Sequence, residues 1–158
     1  MFELKIEEEL INLALEENPI KFIVSTEGAR GEKGIQGVPG ISGLFNKVCG
    51  EDIGGNRVVI IDVDGKLYYA DKDNLNHINK ILGITTQAGM IGTTIQVQSI
   101  SEMVEPSWNW DVTKPAVYLG NNGLLTQTVP ITGFLLEIGN TSSNISIIIN
   151  IKMAFILN

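Results

Sequence analysis

The stretch "NRVVIIDVDGKLYYA", Asn56 to Ala70, places two apolar runs on either side of Asp64-Gly65. Val, Ile and Tyr suit a pleated, half-buried surface, and an Asp-Gly pair supplies the backbone freedom that a tight turn demands. The stretch therefore predicts a β-hairpin. Further along, "KPAVYLGNNGLLTQTVP" (Lys114 to Pro130) echoes it. Setting Gly65 over Gly123 aligns Val59 with Val117, Ile61 with Leu119, Asp64 with Asn122 and Leu67 with Leu125. "ILGIT" (Ile81 to Thr85) likewise resembles "EIGNT" (Glu137 to Thr141). Two related β-halves joined in one small barrel or sandwich are expected.

Between the two hairpins, "GTTIQVQSISEMVEP" sets Ile95, Val97 and Ser99 against Gln96, Gln98 and Ile100, the period of a strand. The ending, "NISIIINIKMAFILN", alternates Ile145, Ile147, Ile149, Ile151, Met153, Phe155 and Leu157 on one face, with Ile148 and Ile156 on the other. Such a strand would aggregate as an exposed edge, so burial between subunits is expected.

Ahead of this β-rich region lies "GARGEKGIQGVPGISG", with Gly28, Gly31, Gly34, Gly37, Gly40 and Gly43 at every third position. At ~7% average glycine usage, five further glycines in strict register after a first arise by chance about once in a million starts. Period three is what a collagen triple helix requires, because only hydrogen fits at its crowded axis. A flexible glycine linker would be Gly/Ser-rich without register. The run is expected to be a triple-helical stem of a homotrimer, on the order of 45–50 Å long at ~3 Å per residue. So short a stem cannot hold three chains unaided, since each ordered residue costs ~1–2 kcal/mol of backbone entropy. The flanking regions must trimerise first.

Residues 1 to 27 open with strand-like alternation and pass into helical spacing that Pro19 ends. Phe2, Leu4, Ile6, Leu10 and Leu13 offer apolar contacts, and six glutamates against one lysine before Asn18 make the piece acidic. The organisation expected is an anchor at 1–27, a stem at 28–43 and a mainly β head at 44–158.

The chain has 158 residues, 44% of them hydrophobic and 18% charged, enough for one packed core with a short extension. A net charge of −7 leaves no basic stripe for phosphates, which disfavours nucleic acid and anionic membrane surfaces as partners. The single cysteine, Cys49, excludes an intrachain disulfide framework and reads as a small buried hydrophobe. The acidic start lacks the basic region of a signal peptide, and no apolar run is long enough to span a bilayer. Synthesis in a reducing cytoplasm is expected.

Catalytic signals are weak. His77 stands without a nucleophile motif around it and reads as a loop histidine. "DVDG" (Asp62 to Gly65) lacks the closing glutamate of a calcium loop, having Asp73 at that place. "GMIG" lacks the lysine of a phosphate loop. No metal and no cofactor are expected. In "EPSWNWD", Trp108 and Trp110 fall on one strand face, and with Tyr118 they are candidates for stacking on sugar rings. Packing in the core or across a trimer seam is the favoured alternative.

Taken together, "RVVIIDVDGKLYYAD", "HINKILGITTQAGMIGTTIQVQ" and "EPSWNWDVTKPAVYLGNNGLLTQTVPITGFLLEIG", spanning Arg57 to Gly139, resemble a β-domain of tailed-bacteriophage virion proteins. That group includes capsid fibre and decoration proteins and some tail fibres. The resemblance implies a particle anchor, a collagen-like stem and a trimeric β-head. The brevity of the chain favours a head fibre on the capsid surface, docked to a capsid or auxiliary capsid protein, with host-surface glycan as a candidate ligand. The alternatives are a tail fibre, adapter or receptor-binding tip and, more remotely, a polysaccharide-degrading enzyme.

Overall fold

The computed structural model describes residues 43–158, which belong to one unit of the chain, Pro39–Asn158. The expected anchor and all of the stem before Gly43 lie outside the described residues. In chain order the strands are β1 (Leu44–Val48), β2 (Val58–Ile61), β3 (Leu67–Tyr69), β4 (Ile81–Thr85), β5 (Thr94–Gln98) and β6 (Ile100–Val104). There follow β7 (Ala116–Leu119), β8 (Leu125–Thr126), β9 (Phe134–Leu135), β10 (Glu137–Ser143), β11 (Ser146–Asn150) and β12 (Phe155–Ile156). The unit is mainly β and its strand pairs are antiparallel. One five-stranded sheet runs β1-β5-β4-β2-β3, a second runs β6-β11-β10-β7-β8, and β12 pairs with β9 alone.

The expected hairpin forms. β2 and β3 pair with Ile61 opposite Leu67, and the Gly65 N–H donates to the Asp62 carbonyl at 2.9 Å. Gly65 sits at φ +75°, a conformation that costs a residue with a Cβ about 1 kcal/mol. Asp64 closes the turn by accepting from the Lys66 N–H at 3.0 Å. In the second hairpin Leu119 pairs with Leu125, and Asn122 takes the left-handed conformation at φ +50°.

Alternation through Gly92–Pro106 holds, but the chain changes sheets within it. Ile95 and Val97 are buried in the first sheet and Met103 in the second. The break falls at Ser99, whose N–H donates to the Gly43 carbonyl at 2.7 Å, and Ser101 at φ +80° re-aims the strand.

Two apolar clusters explain why β2 reads "VVII" without alternation: both of its faces are covered. Val59 joins Cys49, Ile53, Leu67, Ile95 and Val97 on one side. Val58 and Ile60, with Ala70 and Ile84, join Val117, Leu119, Phe134, Ile138, Ile147 and Ile149 on the other. The larger cluster thus draws on both sheets. Each fully buried aliphatic side chain contributes ~1.5–3 kcal/mol relative to exposure.

The chain's ending departs from a single alternating strand. β11 stops at Asn150, residues 151–154 leave the ladder, and the Lys152 N–H donates to the Glu137 carbonyl at 2.9 Å. Ile147 and Ile149 are buried within the chain, whereas Met153, Phe155 and Ile156 are exposed.

Candidate functional site

Trp108 and Trp110 lie in the loop between β6 and β7 rather than on a strand face. The Trp108 N–H donates to the Glu105 carbonyl at 3.0 Å, and the Trp110 N–H to the Asn144 carbonyl at 2.7 Å. These bonds set the rings 5.3 Å apart at 57°, a tilted pair worth ~0.5–1.5 kcal/mol beyond its burial. Both indoles are half-buried against the larger core cluster, and the buried Trp110 Nε1 has no hydrogen-bond partner. Glu105 anchors the loop, accepting from the Ser107 N–H at 3.0 Å and from the Asn56 amide at 2.8 Å. Those bonds hold its carboxyl below the usual range. Tyr118 stands between the buried Val117 and Leu119 on β7 and so faces away from the core on which the indoles pack. No three-ring platform forms.

His77 ends a short 3-10 helix, Leu75–His77. Its Nδ1 accepts from the Asp71 N–H at 3.0 Å, and Nε2 lies 2.9 Å from the Asn74 amide nitrogen. Burial pushes its pKa down, against the pull of Asp71. The ring ties the helix to the end of β3, a structural task. The "DVDG" carboxylates diverge: Asp62 pairs with Lys80 at 2.8 Å, while Asp64 accepts from the Tyr68 hydroxyl at 2.9 Å. Among the described residues, no three His, Cys, Asp or Glu side chains are grouped to hold a metal.

A polar knot that spacing alone does not signal joins the two hairpins. Asp73 accepts from Lys72 Nζ at 2.7 Å, from the Thr132 hydroxyl at 3.0 Å and from the Asn121 amide at 2.6 Å. The lysine first, then the amide, hold Asp73 at a pKa of about 2. Asp71 receives the Asn121 amide at 3.1 Å and the Asn122 N–H at 3.2 Å. Beside the knot opens a cleft of about 480 Å³, walled by Leu124, Val129, Pro130 and Ile131. A second open cleft of about 670 Å³ lies over Ile53, Tyr69, Gly89 and Ile95. Its polar groups serve the chain itself: Tyr69 Oη accepts from the Gly54 N–H at 2.7 Å, and Asp52 from the Ile91 N–H at 2.8 Å. Cys49 is fully buried in the cluster next to it.

Of the stem glycines only Gly43 falls among the described residues. It is buried at φ +62°, away from the φ near −75° of a triple-helical strand, and forms the turn into β1. A Cβ there would collide with the Ile100 side chain. Phe2, Leu4, Ile6, Leu10 and Leu13 fall outside the described residues. Surface features that the sequence reading missed are the outward Ile100 and Val104 of β6, which its alternation could have revealed. No protein-family model matches the chain, and no curated protein matches it.

Proposed function

We propose that the chain is a structural virion protein rather than an enzyme: a homotrimeric head fibre that projects a β-head from a phage capsid. The observation that carries this reading is the junction. Glycines at every third position end at Gly43, and the first strand begins at Leu44. A triple-helical stem needs three chains, and a β unit directly behind it is placed to hold them in register. Residues 1 to 27 would dock on a capsid or auxiliary capsid protein through Phe2, Leu4, Ile6, Leu10 and Leu13, with the glutamates meeting a basic surface. Weak adhesion to host-surface glycan would gain from several projected heads acting together.

The head itself reads as a duplication. In each five-stranded sheet the strands follow the same spatial order, first-fifth-fourth-second-third. Registers correspond as well: Val59 pairs with Gly83 as Val117 pairs with Gly139, and each ladder shifts at the next step. Shared order and register in a sequence with aligned hairpins are what gene duplication would leave.

Scattering mass on the full chain tests the trimer, with three copies of 17.2 kDa expected and a single copy overturning it. Imaging of particles lacking the protein tests the location. Capsids should assemble without protrusions, whereas loss of tail fibres instead would move the protein to the tail.

A further inference from the structure

We infer that the copies of this chain meet through two unlike apolar surfaces: the outward face of β6 and β11 on one copy receives the β9–β12 ribbon of the next. The inference rests on the trimer reading and names the partner surface within it.

Ile100, Glu102 and Val104 on β6 stand opposite Asn150, Ile148 and Ser146 on β11, so their side chains share one face. Met103, Ile147 and Ile149 fill the core behind them. On the outward face Ile100 is 44%, Val104 57% and Ile148 50% exposed. β6 is an edge strand whose Ile100 and Glu102 carbonyls already accept from the Gln98 amide at 3.0 Å, so its uncovered part is the apolar face rather than the backbone edge.

The ribbon has the same need. β9 and β12 pair over two residues each, and a two-stranded ribbon is marginal in water without cover. Phe134 anchors β9 in the larger core cluster, whereas Met153 is 79%, Phe155 60% and Ile156 61% exposed, so the β12 side of the ribbon is the part left uncovered. The two surfaces also carry opposite charges, Glu102 on the face and Lys152 at the foot of the ribbon.

Symmetry selects the pairing. A closed ring of three identical chains cannot use one self-complementary patch; each chain must present two different surfaces, head to tail. The first described residue of the head, Gly43, packs against Ile100, so the β6–β11 face begins where the chain enters the head.

The test uses the full chain, with its unmodified mass measured first. The buried Cys49 does not compete for thiol reagents, so cysteines at Ile148→Cys and Ile156→Cys can be joined with a short bifunctional maleimide. The double variant should give covalent trimers on a denaturing gel, and each single variant should stay monomeric there. If the unmodified chain is a trimer but the double variant links no better than the singles, the surface assignment fails while the trimer reading stands. Dimers from I148C alone would mean that like meets like, which also overturns it. A one-copy mass for the unmodified chain removes both. In parallel, Ile148→Lys should raise the concentration at half-dissociation by at least about tenfold with the β signal in circular dichroism retained, the loss of one buried contact. An unchanged dissociation curve would count against the assignment.

Discussion

Gly139 lies directly beneath the carbonyl oxygen of Ile148 on the neighbouring strand, so close that a Cβ at position 139 would collide with it. Gly83 stands in the same relation to the carbonyl of Gln98. Backbone atoms cannot swing aside as a side-chain tip can. Gly139→Ala is expected to lower stability by ~1–3 kcal/mol, the range for forcing added volume into a packed place. A shift of the urea midpoint with unchanged slope would register it; a midpoint equal to that of the parent protein would mean that β10 and β11 are not so tightly apposed.

The tryptophan pair separates ring packing from polar satisfaction. Trp110→Phe keeps an aromatic ring and removes the buried Nε1 that lacks a partner. Removing an unsatisfied buried donor recovers some of its ~1–3 kcal/mol desolvation penalty, offset by the smaller ring. The melting temperature should change little. Trp108→Ala, by contrast, takes half-buried area from the larger cluster and should lower it by several degrees. Equal losses from both would contradict this assignment of roles.

Acid should loosen the knot between the hairpins. Asp73 has a folded pKa of about 2 against an ordinary value of 3.8, so the unfolded chain binds more protons than the folded one between these values. Stability from this group is fully present above pH ~4 and is lost as pH falls towards 2. Asp62, Asp64, Glu102, Glu105 and Asp111 are lowered too and act with the same sign. Urea midpoints taken down this range should fall, and Asp73→Asn should flatten that fall. A variant with the same acid slope as the parent would show that Asp73 contributes nothing to it.

The stem makes its own prediction. If the stem is triple-helical as proposed, Gly34→Ala places a methyl group where only hydrogen fits. Proteolysis within residues 28 to 43 should quicken while the head stays trimeric by mass. Cleavage no faster than in the parent would argue for an unwound linker.

Much of the fold was legible because its signals are local. Asp64-Gly65 marks a turn from the chemistry of two adjacent residues, and Ile95 and Val97 mark a buried face by period alone. The echo of Val59 in Val117 was visible in the aligned hairpins, and the two residues hold like places, each paired with a glycine of the neighbouring strand, Gly83 and Gly139. The candidate site was read less well. Trp108 and Trp110 do come together, yet they lie in a loop against the core, and Tyr118 faces elsewhere because its neighbours Val117 and Leu119 claim the inside.

Sequence alone determined where strands start and turn, and that glycine recurs at a period which three chains can share; these follow from steric rules acting over a few residues. Only the tertiary structure decided that Val58 and Ile60 enter a core with the second sheet, that the chain changes sheets at Ser99, and that Asp71 and Asp73 meet Asn121. Period tells a residue which face it shares but not what covers that face. The cover comes from segments far along the chain, brought there by the burial of apolar area, which is blind to sequence order.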